Sequence, residues 1–149
     1  PRLVSVHLEY NQIGSVAGFQ NLSGVRSLSL SHNQISDVAP LTGLRALHLG
    51  QRLRKWNGQP NPLSLDDATL ATLAKMKSLE SLSLDEVRLT TAAIAQLKAL
   101  PNLKKLTLAR TELTDGDVGK LRAELPGVTV DFKPMTDAER TALAGMLKP

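Results

Sequence analysis

The chain contains no cysteine. That excludes disulfides, thiolate metal sites and a cysteine nucleophile, and it leaves the compartment open, since a cysteine-free chain is stable in either redox setting. Aromatic residues make up only 3% of 149, with a single tryptophan, Trp56. A core organised around a few large rings is therefore not available. With 42% hydrophobic residues, led by leucine, the interior has to be many equivalent aliphatic layers. No run of about 18 apolar residues occurs, so no segment is expected to span a membrane. Phosphate and metal signatures are also missing: there is no G-x-G-x-x-G, P-loop or EF-hand pattern. The sequence opens "PRLVSVHL", without methionine and already inside a pattern. Residues are therefore expected to precede Pro1, and a targeting signal would lie outside the sequence.

Charge of one sign is scarce in the first part of the chain. Residues 1–62 carry six Lys/Arg against only Glu9 and Asp37, whereas residues 63–149 carry twelve of each sign. The whole of the net charge of +4 thus lies in the N-terminal part. Half of those basic residues (Arg52, Arg54 and Lys55) fall in one stretch. The balanced remainder does not read as a polyanion binder.

What the sequence has in abundance is repetition, the first thing to look for in such a chain. "LVSVHLEYNQIGSV" at Leu3 returns as "VRSLSLSHNQISDV" at Val25, 22 residues on, and both fit L-x-x-L-x-L-x-x-N-x-L. A third copy, "LRALHLGQR", starts at Leu44. A longer style follows: "LESLSLDEVRLTTAAIAQLKAL" at Leu79 and "LKKLTLARTELTDGDVGKLRAEL" at Leu103 are 24 residues apart, and a shortened strand, "GVTVDF", ends the series. In each unit L-x-L alternates in and out like a half-buried strand, and the apolar residues then take helical spacing. One such unit cannot bury its own apolar face, but a stack of them can.

The chain resembles a bacterial leucine-rich repeat protein over nearly its whole length, with 22-residue units giving way to 24-residue units similar to those of ribonuclease inhibitor. The resemblance implies an α/β fold: a right-handed solenoid with about six parallel strands on the concave face, turns and then helices on the convex face, and a C-terminal capping helix. It implies one domain over residues 1–149, divided into 22-residue-type repeats (1–51), an inserted loop (52–62), helix-containing repeats (63–132) and a C-terminal cap (133–149). Such repeats often carry a buried asparagine that bonds the backbone of its own and the adjoining turn. Asn11 and Asn33 fit that role. Counting from the last strand leucine puts Arg52, Val87 and Thr111 in the later equivalents, so the asparagine ladder is expected to end after the second unit.

Helix starts carry local signals: Ser64 and Asp66, then Thr90 and Thr91, then Thr114 with Asp117. Thr136 with Glu139 forms a capping box for the C-terminal segment, whose Leu143, Met146 and Leu147 share one face. The structural reading of that helix is a cover for the last repeat. A docking helix for a partner is the alternative.

On the concave face the residues between core leucines are expected to meet solvent. The candidates for partner binding there are His7, Glu9, Tyr10, Ser29, Ser31, His32, His48, Asp85, Glu86, Lys105 and Arg110. Exposed Ser and Thr on strands are also ordinary solvated residues. The three histidines are too widely spread to share a zinc ion, whose ligand nitrogens lie at roughly 2.0–2.1 Å. No G-x-S-x-G elbow orders a nucleophile. Catalytic residues, a metal site and a cofactor are therefore not expected.

One stretch breaks the period. From the second strand leucine to the repeat leucine that follows it, the regular units take five steps (Leu84 to Leu89, Leu108 to Leu113), but the third takes sixteen to the corresponding Leu65 (from Leu49). The excess is "RLRKWNGQPNP", residues 52–62. Arg52, Arg54, Lys55, Trp56, Asn57 and Gln59 are its candidate contacts. Asn57-Gly58 favours a tight turn, and Pro60 and Pro62 stiffen the return arm but make it a poor hairpin strand. Insertions in repeat proteins collect on one edge and often bind, although this one also sits at the seam between two repeat styles. Trp56 can pack on the rim or project as an anchor. The reading is a non-catalytic interaction module whose partner is another protein, or another domain of the same chain. A scaffold or sensor segment without a ligand of its own is the rival, and polyanion binding through the basic loop the weaker one. Nucleic acid and small-molecule substrates are not expected.

Overall fold

A computed structural model of the chain describes residues 3–22, 24–54, 58–61, 64–143 and 146. Six strands form one sheet in chain order: β1 (Ser5–His7), β2 (Ser27–Asn33), β3 (Ala46–Gln51), β4 (Ser81–Asp85), β5 (Lys105–Ala109) and β6 (Thr129–Lys133). Every neighbouring pair is parallel. The register aligns Ser5, Ser27, Ala46, Ser81, Lys105 and Thr129 in one row. The row holds although the sequence step across it changes from 22 to 19 to 35 to 24 residues, because the inward leucines must stay level to bury one another.

Those leucines make the core. Leu28, Leu30, Leu47, Leu49, Leu82, Leu84, Leu106 and Leu108 are all buried. They meet Leu70, Leu73, Ile94, Leu97, Val118 and Leu121 in the same cluster. The latter come from α1 (Asp67–Leu73), from α2 (Thr91–Ala95) with its 3-10 extension Gln96–Ala99, and from α3 (Asp115–Glu124). The first units turn back without an α-helix, through short connections such as the 3-10 turn Ala17–Asn21. This is an α/β solenoid of stacked strand–turn and strand–helix units.

The helix starts follow their local chemistry. Asp66 caps α1 and Thr114 caps α3, each within a capping box. Thr90 caps α2 through the amide of Ala93. One cap also links two units: the Asp67 carboxylate accepts from both the amide (3.0 Å) and the hydroxyl (2.9 Å) of Thr90. An acid in the first turn of one helix thereby fixes the start of the next, and it lies where the helix dipole favours it.

The asparagine ladder ends with Asn33, and a glutamine, not Arg52, stands at the equivalent place of the third unit. Asn33 is 1% exposed. It donates to the carbonyls of Leu8 (2.8 Å) and Leu30 (2.9 Å) and accepts from the amide of Ile13 (3.0 Å). In the third unit its strand partner is Gln51, not Arg52, because the register shifts between Leu30 and Asn33. Gln51 is equally buried; its carbonyl oxygen accepts from the amides of Ser64 (2.8 Å) and Leu65 (3.1 Å). The physical reason is one missing residue. Units one, two, four and five each place a non-glycine residue in the left-handed region just before the ladder position: Tyr10 (φ 57°), His32 (φ 60°), Glu86 (φ 51°) and Arg110 (φ 46°). No residue of 44–54 has a positive φ, and the longer glutamine arm reaches from the position before. Val87 is buried among apolar neighbours, and the buried Thr111 Oγ bonds to no described group. Asn33 thus links the first two units, Gln51 closes the turn of its own unit, and helix caps take over beyond it.

Candidate functional site

The four left-handed residues form a ledge along the ends of the strands. A left-handed residue turns its side chain out of the strand alternation, so these four come together and do not splay to alternate faces. Tyr10 stacks on His32, with ring centroids 4.3 Å apart and planes 12° from parallel. His32 Nε2 lies 2.8 Å from Arg110 Nη2 and 3.3 Å from Asp85 Oδ2. Arg110 grips Asp85 with both arms of its fork, donating from Nε (2.7 Å) and from Nη2. Residues 78 positions apart in sequence meet here, across a third unit that has no ledge residue. Gly50 occupies that place. A Cβ there would lie 3.0 Å from the Asp85 carbonyl oxygen and 3.1 Å from its Cβ. Glycine is what lets the Asp85 side of the cluster close over the third strand.

Electrostatics keep the Asp85–Arg110 pair ionised. Burial by itself pushes the Asp85 carboxyl up, but hydrogen bonds from His32 and Arg110 and the guanidinium charge outweigh it, so the group stays below the ordinary aspartate value. The same bond to Asp85 raises Arg110 above the usual arginine value. At the other end of the face, the Ser29 hydroxyl first of all, then His7, hold Glu9 below the usual glutamate value.

Two candidates expected on an exposed face are in fact buried: Ser29 at 5% and His32 at 6% exposure. Both are covered by longer side chains: Ser29 bonds to Glu9, and His32 lies under Tyr10 and against Arg110. His7, His48 and Lys105 are exposed, and Glu9, Ser31, Asp85, Glu86 and Arg110 are half-buried. Tyr10 is 69% exposed. His7 bonds to Ser5 and Glu9 and is not part of the His32 cluster, and no group of three or more potential metal ligands is found among the described residues. Nearer the strand starts, Glu80 pairs with both Arg45 (3.2 Å) and Lys104 (2.9 Å), a surface triad that repeat-counting does not flag.

The inserted loop turns back toward this ledge. Its arms do pair, through an antiparallel bridge between Arg54 and Pro60 and a bond from the Asn61 amide to the Leu53 carbonyl (2.8 Å). Asn61 also donates from its side chain to the Arg52 carbonyl (2.6 Å). Proline cannot donate, but its neighbour Asn61 does so twice, which is why a poor strand still closes. Glu86 ties the loop to the ledge by accepting from the Leu53 amide at 3.1 Å. Lys55, Trp56 and Asn57 lie outside the described residues, and with them the question of where Trp56 points.

The C-terminal segment meets the same place. Helix α4 (Asp137–Ala142) starts at the expected Thr136–Glu139 capping box. Its neighbour Leu143 buries itself with Met135, with Met146 and with Leu53 of the loop, in a cluster separate from the main core. The expected cover for the last repeat is thus joined through its apolar residues to the insertion. Arg54 Nε donates to the Ala142 carbonyl. Between loop, helix and ledge lies a groove of about 320 Å³, lined by Tyr10, His32, Arg52, Arg54, Glu86, Arg110, Glu139, Ala142 and Leu143.

Strand register, buried amides and helix caps define the class: an α/β repeat solenoid that carries a side-chain ledge along the C-terminal ends of its strands. The Leucine Rich repeat family matches residues 25–39, the unit that contains β2 and Asn33. The same parallel register continues through the neighbouring units. No curated protein sequence matches it. Among solved structures it is similar to the internalin inlF of Listeria monocytogenes, at 22% identity over 91% of this chain and 48% of that one, with a TM-score of 0.44. It is also similar to the internalin C2 of the same organism, at 17% identity over 96% of this chain and 76% of that one, with a TM-score of 0.32. The chain spans about half the length of the first of these. No helix among the described residues is long and apolar enough to cross a membrane.

Proposed function

We propose that the chain is a non-catalytic protein-interaction module, and that its partner surface runs from the exposed strand positions onto the ledge and loop 52–62. The observation that carries this reading is Tyr10. Its ring is 69% exposed, yet it is held by the stack on His32, which the Asp85–Arg110 pair fixes in turn. A large ring held in one orientation loses little freedom on binding, and tyrosine and arginine are the side chains that most often anchor interfaces. His48 and Lys105 extend the same surface along the strands. The partner is another protein or another domain of the same chain.

The rival reading, a scaffold segment with no ligand of its own, draws support from Leu53. The loop's apolar side chain is only 2% exposed and packs within the chain. Polyanion binding through the loop is disfavoured, because Arg54 is directed at the carbonyls of Ala142 and Gly58. The test is affinity capture with the tagged chain and with Tyr10→Ala. The module reading expects a captured protein that Tyr10→Ala loses at least tenfold, with an unchanged melting temperature. Equal capture by both chains, or no specific capture, contradicts it.

A further inference from the structure

The C-terminal segment is joined to the rest of the molecule in an unusual way. Its buried apolar residues, Met135 and Leu143, belong to a cluster of their own with Leu53, outside the continuous core of the six units. The helix itself has six residues, far below the roughly 12–15 that stand alone in water. Among the described residues it is held to the loop by the apolar cluster with Leu53 and by the bond from Arg54 to the Ala142 carbonyl. That carbonyl is one that a helix end leaves without an internal partner. Such a patchwork can open locally while the solenoid stays folded. What it leaves uncovered on opening is informative: Leu53, the Arg54 guanidinium and the wall of the groove that faces Tyr10, His32 and Arg110.

We infer that the C-terminal segment from Met135 to Leu143, with Met146, is a displaceable strap, seated on a helix-docking site that Leu53 and Arg54 build against the ledge. The site takes the C-terminal end of a short helix: Arg54 receives its open carbonyl, and Leu53 receives apolar side chains three apart, here Leu143 and Met146. The strap fills this site in cis and narrows access to the ledge. A partner's helix end of the same chemistry displaces it. The partner-binding role of the exposed ledge rests on the module reading above; the strap and its docking site do not.

The experiment uses the full-length chain and a fluorescently labelled synthetic peptide of residues 134–149. In wild type the tethered copy competes at an effective concentration near the millimolar range, so the free peptide binds weakly. Leu143→Asp should release the strap. The peptide should then bind that variant at least tenfold more tightly than wild type, and Leu53→Asp should abolish the gain. Hydrogen exchange should quicken at least tenfold at the amides of Leu53 and Asn61 in Leu143→Asp, with β3, β4 and β5 unchanged. Three results overturn the inference: equal peptide binding by wild type and Leu143→Asp, unchanged exchange at Leu53 and Asn61, or faster exchange throughout the sheet. The last would make the helix an integral part of the solenoid. No partner is needed for this test, so its failure is separate from a failure to capture one.

Discussion

Replacing Asn33 by alanine tests how the first two units are held together. The asparagine makes three bonds of 3.0 Å or less, two of them to the unit before it, at Leu8 and Ile13. Alanine leaves two carbonyls and one amide without these partners. A buried group left unpaired costs about 1–3 kcal/mol, and one that water can reach costs less. Leu30 is wholly buried, whereas Leu8 and Ile13 are half-buried, so the loss should total about 3 kcal/mol, near the low end for three groups. In a chain of this size that lowers the midpoint by about 6–12 °C. The control is Asn11→Ala. Asn11 is exposed and bonds only to its own turn, at Leu8 and Glu9, so its loss should cost below about 1 kcal/mol. Thermal and urea unfolding followed by circular dichroism measure both. If the two variants lost the same stability within about 1 kcal/mol, the ladder as the link between units would be refuted.

Other positions give sharper local expectations. Gln51→Ala should cost about 2–4 kcal/mol in the same assay, and Gln51→Asn should recover less than half of it, because the shorter arm does not reach Ser64 and Leu65. Gly50→Ala should cost about 1–3 kcal/mol by overpacking, and should free Asp85 from its place, visible as a shifted carboxyl resonance in NMR titration. The Asp85 carboxyl titrates lower in the folded chain than in the unfolded one, so the unfolded chain binds the extra proton between the two values. Stability from the cluster is therefore complete above the ordinary aspartate value, near pH 4, and falls as the pH drops through the lower folded value. Asp85→Asn should flatten this part of the acid limb in pH-dependent melts; an unchanged slope would contradict the ionised pairing.

Much of this architecture is legible in the sequence because a strand cannot slip by one residue without exposing its leucines. The row from Ser5 to Thr129 follows from L-x-L alone, and the starts of α1, α2, α3 and α4 follow from Asp66, Thr90, Thr114 and Thr136. Counting puts Arg52 at the equivalent place of the third unit because it assumes that every strand leaves through the same turn. The absent left-handed residue moves the buried amide to Gln51, and the signal available is that amide side chain one position early. The burial of Ser29 and His32 was not legible, since it depends on side chains reaching across from Glu9, Tyr10 and Arg110. The seat of α4 depends on Arg54 and Ala142, 88 residues apart, and no periodicity spans that gap. An aliphatic residue, Leu53, between two arginines of the loop was the one hint of it.

The central claim is that a partner engages the sheet face and its ledge, and crosslinking of the captured complex with mass-spectrometric mapping tests it most directly. The account predicts partner crosslinks at Lys105, with those at Lys98 and Lys120 on the helical side no more frequent than without partner. Crosslinks confined to Lys98 and Lys120, with none at Lys105, would contradict it.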